Sequence, residues 1–135
     1  MDEVKKKILI VDDDSFLLDM YAFKFSQNNF DVHTAGGSMQ ALEILKGGFN
    51  PDIILMDIIM PDKDGFEMLE DIKRDNLSPN SIKIVLSNKS EPKDIERGTG
   101  LGVAGYIVKA SSTPGEVMDR VKEILSKSVQ AEVVK

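Results

Sequence analysis

Ile53-Ile54-Leu55-Met56-Asp57-Ile58-Ile59-Met60-Pro61-Asp62-Lys63-Asp64-Gly65 is the stretch whose reading decides the fold. Its first four residues are large and apolar without alternation, the pattern of a strand covered on both faces. Asp57 interrupts the run. Pro61, Asp62, Asp64 and Gly65 then spell a loop that leads into a helix. A carboxylate is therefore expected at the carboxyl end of a central strand, where open α/β sheets bind their ligands.

The segments on either side repeat that grammar. Ile8 to Val11 is a short branched apolar run, and Asp12-Asp13-Asp14-Ser15 turns it into a helix over Phe16 to Phe25 that stops at Asn28-Asn29. Asp14 is read as the N-cap of that helix. Phe30 to Thr34 alternates and reads as an edge strand carrying His33, the one histidine, which is read as structural. Ser38 is expected to cap a helix with the stripe Ala41, Leu42 and Leu45, ended by Gly47-Gly48. Phe66, Leu69 and Ile72 face inward from the helix after Gly65. Ile82 to Leu86 is a further buried strand, followed by Ser87 and Asn88. Glu91 to Gly102 is a weak helix, because Pro92 fits its first turn alone and Gly98 and Gly100 each cost about 1 kcal/mol relative to alanine. Gly105 to Val108 is the last strand and ends at Lys109. Thr113-Pro114-Gly115-Glu116 is a capping box with proline at the first helical position. The helical pattern fades near Ser126. The domain is read as residues 1–127, with 128–135 a frayed tail. The seven methionines read as core filler.

Strand and helix thus alternate five times, which implies a parallel sheet with helices on both faces. Right-handed crossovers bring the carboxyl ends of all strands to one edge. A chain of 135 residues is one domain of ordinary size. It has no cysteine, which excludes disulfides, zinc–thiolate centres and thiol nucleophiles and fits a reducing, cytoplasmic setting. No apolar run approaches the ~20 residues of a membrane span. The net charge of −6 disfavours direct nucleic-acid binding.

At the shared edge the strands deliver Asp12, Asp13, Asp57, Ser87 and Lys109. Clustered carboxylates raise each other's pKa, a cost relieved when a hard divalent cation sits among them, and oxygen-only ligands suit Mg2+. Magnesium beside a strand-end aspartate suggests phosphoryl chemistry, with the carboxylate as nucleophile. Lys109 would offer a positive charge to one phosphoryl oxygen and Ser87 a hydrogen bond to another. Alone, Ser87 carries no information, and Lys109 would be a solvated strand-end lysine. Both gain meaning from the acidic cluster beside them.

Four motifs in order carry a resemblance: Ile8-Leu9-Ile10-Val11-Asp12-Asp13-Asp14, Leu55 to Gly65, Ile84-Val85-Leu86-Ser87 and Gly105-Tyr106-Ile107-Val108-Lys109. Along essentially its whole length the chain resembles the receiver domain of a two-component response regulator, of the stand-alone chemotaxis type. That resemblance implies a flavodoxin-like doubly wound (βα)5 fold with strand order 2-1-3-4-5. It implies phosphorylation of Asp57 by a sensor histidine kinase or phosphotransfer protein. Asp12, Asp13, Asp57 and the carbonyl of Ile59 would hold Mg2+. Ser87 and Tyr106 would be the switch pair that remodels the face of helix 4, strand 5 and helix 5. Two residues depart from the family pattern. Ala110 stands where proline usually follows the lysine, which leaves the isomer of the Lys109–Ala110 peptide open. Asn88 stands where a small residue is usual, and either narrows access to Asp57 or donates to a phosphoryl group.

The tail is too short for an output module, so the expected response is a contact with a downstream protein, a phosphorelay step or something done by the tail, in a monomer or a phosphorylation-dependent dimer. The chain is expected to be a switch rather than a turnover enzyme. Two other readings compete: a haloacid-dehalogenase-type phosphatase using Asp12 and Asp14, and a degenerate receiver that serves as a scaffold.

Overall fold

The computed structural model describes residues 4–134, with side chains described through Ser128. Five strands, β1 (Lys6–Val11), β2 (Phe30–Ala35), β3 (Ile53–Met56), β4 (Ile82–Ser87) and β5 (Gly105–Val108), alternate with five helices. These are α1 (Ser15–Gln27), α2 (Ser38–Lys46), α3 (Gly65–Arg74), α4 (Pro92–Gly100) and α5 (Pro114–Val134). Every paired strand runs parallel, in the order β2-β1-β3-β4-β5. This is the expected doubly wound, flavodoxin-like fold.

The alternation of a strand's side chains builds the two layers. Ile8, Ile10, Ile53, Leu55, Ile84 and Leu86 point to one face, where α1 and α5 cover them with Tyr21, Phe25, Val117 and Val121. Leu9, Val11, Ile54, Met56 and Val85 point to the other, where α2 and α3 supply Leu42, Leu45, Phe66, Leu69 and Ile72. All four residues of β3 are fully buried. That explains a strand with no polar alternation. The edge strand β2 is half-exposed, and His33 lies against Phe49 and Asp31. Met56, Met60, Met68 and Met118 fill the core, whereas Met39 is exposed.

Two local expectations need correction. Ser38 does not cap α2. Gly37 occupies the cap position without a side-chain bond. The Ser38 hydroxyl is fully buried and donates to the Lys63 carbonyl at 2.6 Å. The cap comes instead from a distant loop, where Asp62 Oδ2 accepts from the Met39 N–H at 2.9 Å. The second correction concerns α5, which does not stop near Ser126 but continues to Val134; Lys135 lies outside the described residues.

Asp62 therefore joins the β3–α3 loop to α2. The backbone N–H of Met39, then that of Lys63, holds its carboxyl below the usual carboxylate range. A group whose pKa falls on folding stabilises the native state above its unfolded pKa and loses that effect as pH drops through the folded one. Asp62→Ala should cost about 1 kcal/mol at neutral pH, the usual worth of a helix cap. In urea titrations the gap between variant and wild type should close below pH ~4. A gap that persists in acid would show that the carboxylate is not the cap.

Candidate functional site

The shared edge of the sheet is built by chain direction and register. β1 and β3 pair Val11 with Met56, so Asp12 and Asp57 leave adjacent strands at the same level. β4 and β5 pair Ser87 with Val108, which sets Lys109 one step beyond. Asp12, Asp13 and Asp57 each bring a carboxylate oxygen within 4.8 Å of the others, with Asp13 exposed and the other two buried. Lys109 Nζ lies 2.7 Å from Asp12 Oδ2 and 2.7 Å from Asp57 Oδ2.

Backbone donors orient both buried carboxylates. Asp12 Oδ1 accepts from the Asp14 N–H at 2.9 Å. Asp57 Oδ1 accepts from the N–H groups of Ile58 at 2.6 Å and Ile59 at 3.3 Å. Burial raises the pKa of Asp12, against the opposing pull of Lys109 and the Asp14 N–H. Burial works the other way on the ammonium of Lys109, but its hydrogen bonds to Asp12 and Asp57 prevail and its pKa is raised. The site is thus a carboxylate cluster in which one lysine ties Asp12 to Asp57. Oxygen donors at this spacing, one of them open to solvent, fit a hard divalent cation that keeps part of its water shell.

Asp14 has no share in that cluster. Its carboxylate caps α1, accepting from Phe16 and Leu17 at 3.1 Å each. An Asp-x-Asp nucleophile and acid pair needs a second free carboxylate, and here it is committed to the helix. The phosphatase alternative loses its second residue.

The loop after Asp57 is fixed from several sides. The Gly65 N–H returns to the Ile58 carbonyl at 2.8 Å, and Asp64 with Glu67 forms a reciprocal capping box on α3. A side chain on Gly65 would meet the Asp57 carbonyl and approach Ile58 Cα to 2.9 Å. Lys63 pairs with Asp71, which also meets Arg74 at 2.9 Å. Ile59, two residues beyond Asp57, is 60% exposed.

Ser87 is fully buried, and its hydroxyl accepts from the Lys89 N–H at 3.2 Å. Tyr106 packs beneath α4 against the second core layer, and its hydroxyl donates to the Lys89 carbonyl. Burial first, then the negative charges of Asp94 and Asp57, pushes its pKa up to about 12. The ring fits because residue 98 is glycine: a Cβ there would sit 3.3 Å from ring carbons Cδ2 and Cε2. Lys89 also reaches buried Asp94 at 3.4 Å. By sequence, Gly98 and Gly100 mark a weak helix that costs little to rearrange, and nothing there points to the Lys89–Asp94 contact. Asp94 also accepts from the Glu91 N–H at 3.1 Å, at the start of α4.

The two departures from the family pattern meet. The Ala110 N–H donates to Asn88 Oδ1 at 2.6 Å. Among the described residues there is no cis peptide, so the Lys109–Ala110 bond is trans, and Lys109–Ser111 forms a 3-10 turn.

Comparison with known proteins identifies the family and the fold. A family model for the response regulator receiver domain matches residues 8–122. The chain is 33% identical over 125 residues to the alkaline phosphatase synthesis transcriptional regulatory protein PhoP of Bacillus subtilis, covering 93% of this chain and 50% of that protein. It is 32% identical to the phosphate regulon transcriptional regulatory protein PhoB of Pseudomonas aeruginosa, covering 93% and 54%. The chain thus spans about half the length of the curated relatives it matches. A CheY-like receiver domain protein from Methanospirillum hungatei superposes with a TM-score of 0.84 at 26% identity, over 95% of this chain and 99% of that one. With a family model matched over residues 8–122 and a five-stranded order shared with a solved receiver domain, the chain belongs to the response regulator receiver domain family.

Proposed function

We propose that this receiver is a phosphorylation switch in which Asp57 is the acceptor. The observation that carries the reading is the meeting of Asp57, Asp12 and Lys109 within 2.7 Å contacts at the carboxyl edge of the sheet. Asp12, Asp13 and Asp57 would hold Mg2+, with the carbonyl of Ile59 as a further donor. The bound cation would neutralise oxygens of the transferring group. Asp57 attacks phosphorus through a carboxylate oxygen. A P–O bond forms as the P–N bond of a phosphohistidine breaks, and the leaving imidazole takes up a proton. Two backbone N–H groups fix the attacking carboxylate, which keeps it in a productive orientation. The ammonium of Lys109, released from its share in Asp57, then pairs with a phosphoryl oxygen.

Ser87 would turn its hydroxyl from the Lys89 N–H toward that phosphoryl group. Lys89 also accepts from Tyr106, so a shift in the β4–α4 loop is felt at the ring and along α4. Phosphorylation then favours one arrangement of the α4–β5–α5 face, and a downstream protein reads the difference. A sensor kinase or phosphotransfer protein is the donor. A cytoplasmic location follows from that partnership. Among the described residues no helix is long and apolar enough to cross a membrane.

The test is mass measurement of the intact protein after incubation with acetyl phosphate and Mg2+. Wild type should gain one phosphoryl group and Asp57→Asn none. Loss of the adduct in Asp12→Asn with full retention in Asp57→Asn would assign the nucleophile elsewhere.

The lifetime of the phosphorylated state is also set locally. Ile59, two residues past the acceptor, has an exposed apolar side chain and offers no group to orient an attacking water. Ile59→Asn should hasten dephosphorylation roughly tenfold, a modest share of what a positioned polar group supplies. The measurement is decay of the adduct mass after donor removal, and equal decay in both proteins would refute the assignment.

A further inference from the structure

The geometry points to Asn88 and the backbone N–H of Ala110 as a positioning pair for Lys109, an inference that rests on the phosphoacceptor reading above. The parallel ladder between β4 and β5 ends where Ser87 pairs with Val108. Beyond it the two chains separate into loops. The Ala110 N–H to Asn88 Oδ1 bond extends the connection by one step, with a side-chain carbonyl in place of a backbone one, at 2.6 Å. The bond spans 22 residues of sequence. Lys109 lies between this bond and the last ladder pair, so its backbone is held on both sides.

The other bonds of the turn are local. Ser112 N–H donates to the Lys109 carbonyl at 3.3 Å, and the hydroxyls of Ser111 and Ser112 donate to Val108 at 3.4 and 2.9 Å. They shape the turn but do not tie it to β4. Among the described residues Asn88 makes the side-chain hydrogen bond that does. The pairing depends on both departures from the family pattern at once. Proline at 110 would have no N–H to give. A small apolar residue at 88 would have no oxygen to receive it. An N–H donor also fixes the amide orientation: Oδ1 must face Ala110, which leaves Nδ2 as the free end.

The consequence is specific to the reaction. Lys109 bridges Asp12 and Asp57 through one nitrogen, and a displaced main chain moves that charge relative to the phosphoryl oxygen it must meet. Small misplacements of such a group cost rate at saturating donor.

The experiment measures phosphoryl uptake against acetyl phosphate concentration in Mg2+ for wild type, Asn88→Ala, Ala110→Pro and the double variant. Amide hydrogen exchange at Ala110 is followed in wild type and Asn88→Ala. Each single variant should lose about tenfold in maximal rate with an unchanged half-saturating donor concentration. The double variant should lose no more than the worse single one, because both remove the same bond. Exchange at Ala110 should accelerate at least severalfold in Asn88→Ala. Additive losses, unchanged maximal rates, or a change confined to the half-saturating concentration would overturn the positioning role; the last would make Asn88 a donor-binding residue. No uptake by wild type would instead remove the phosphoacceptor reading, and equal exchange at Ala110 would then still dismiss the pair.

Discussion

Gly65→Ala is expected to lower the stability of the protein by about 2–3 kcal/mol, the upper range of an overpacked site. The added methyl would run into the Asp57 carbonyl and stand 2.9 Å from Ile58 Cα, and both are backbone atoms that cannot swing aside. Relief requires moving the start of α3 away from the end of β3. That movement breaks the Gly65 N–H to Ile58 carbonyl bond and disturbs the segment carrying Ile58 and Ile59, whose N–H groups hold Asp57. The variant should therefore lose phosphoryl uptake as well as stability. Urea denaturation and adduct mass check the two effects. A Gly65→Ala protein with the wild-type midpoint would mean that the loop has slack the geometry does not reveal. By contrast, a Cβ on Gly48 meets nothing within 4 Å, but its φ of +102° strains any other residue by a different route.

Magnesium should have the second large effect. Asp12 and Asp57 share Lys109, and Asp13 brings a third carboxylate within 4.8 Å of both, so the metal-free cluster carries repulsion that a cation would relieve. Binding to the native state alone adds about 2.7 kcal/mol at a hundred times the dissociation constant. The urea midpoint should rise with Mg2+ and return on chelation. Asp13→Asn separates attraction from repulsion. Asp13 is exposed and makes no ion pair among the described residues, so its neutralisation should leave the metal-free protein at least as stable as wild type. Its response to Mg2+ should nevertheless fall by at least tenfold in affinity, since one of the charges proposed to hold the cation, directly or through water, is lost. A variant that still responds like wild type would move the metal away from Asp13.

The fold was legible because the sequence obeys simple rules at the places that define topology. Uniformly apolar β3 announced a strand buried on both faces, and each turn into a helix carried an identifiable signal, such as Asp14 or the Thr113–Glu116 box. The acidic edge was legible because each member lies within two residues of a strand's carboxyl end. Bonds between distant segments were not legible. Ser38 has the chemistry of a cap and the position of one, yet its hydroxyl turns inward to Lys63 because Asp62 already meets the α2 N-terminus from another loop. Gly98 reads as a helix defect until Tyr106 is seen beneath it. Asn88 and Ala110 looked like two unrelated departures, and tertiary contact makes them one feature. The length of α5 was underestimated for a different reason: its amphipathic pattern fades while the backbone stays helical.

The claim that Asp57 accepts the phosphoryl group is tested most directly by locating the modified side chain itself. Borohydride reduces an acyl phosphate on aspartate to homoserine, so protein treated with acetyl phosphate and Mg2+, then reduced and digested, can be mapped by peptide mass. The account predicts homoserine at position 57 and nowhere else. Homoserine at position 12 or 13, or a phosphoryl adduct that leaves residue 57 an intact aspartate, would contradict it.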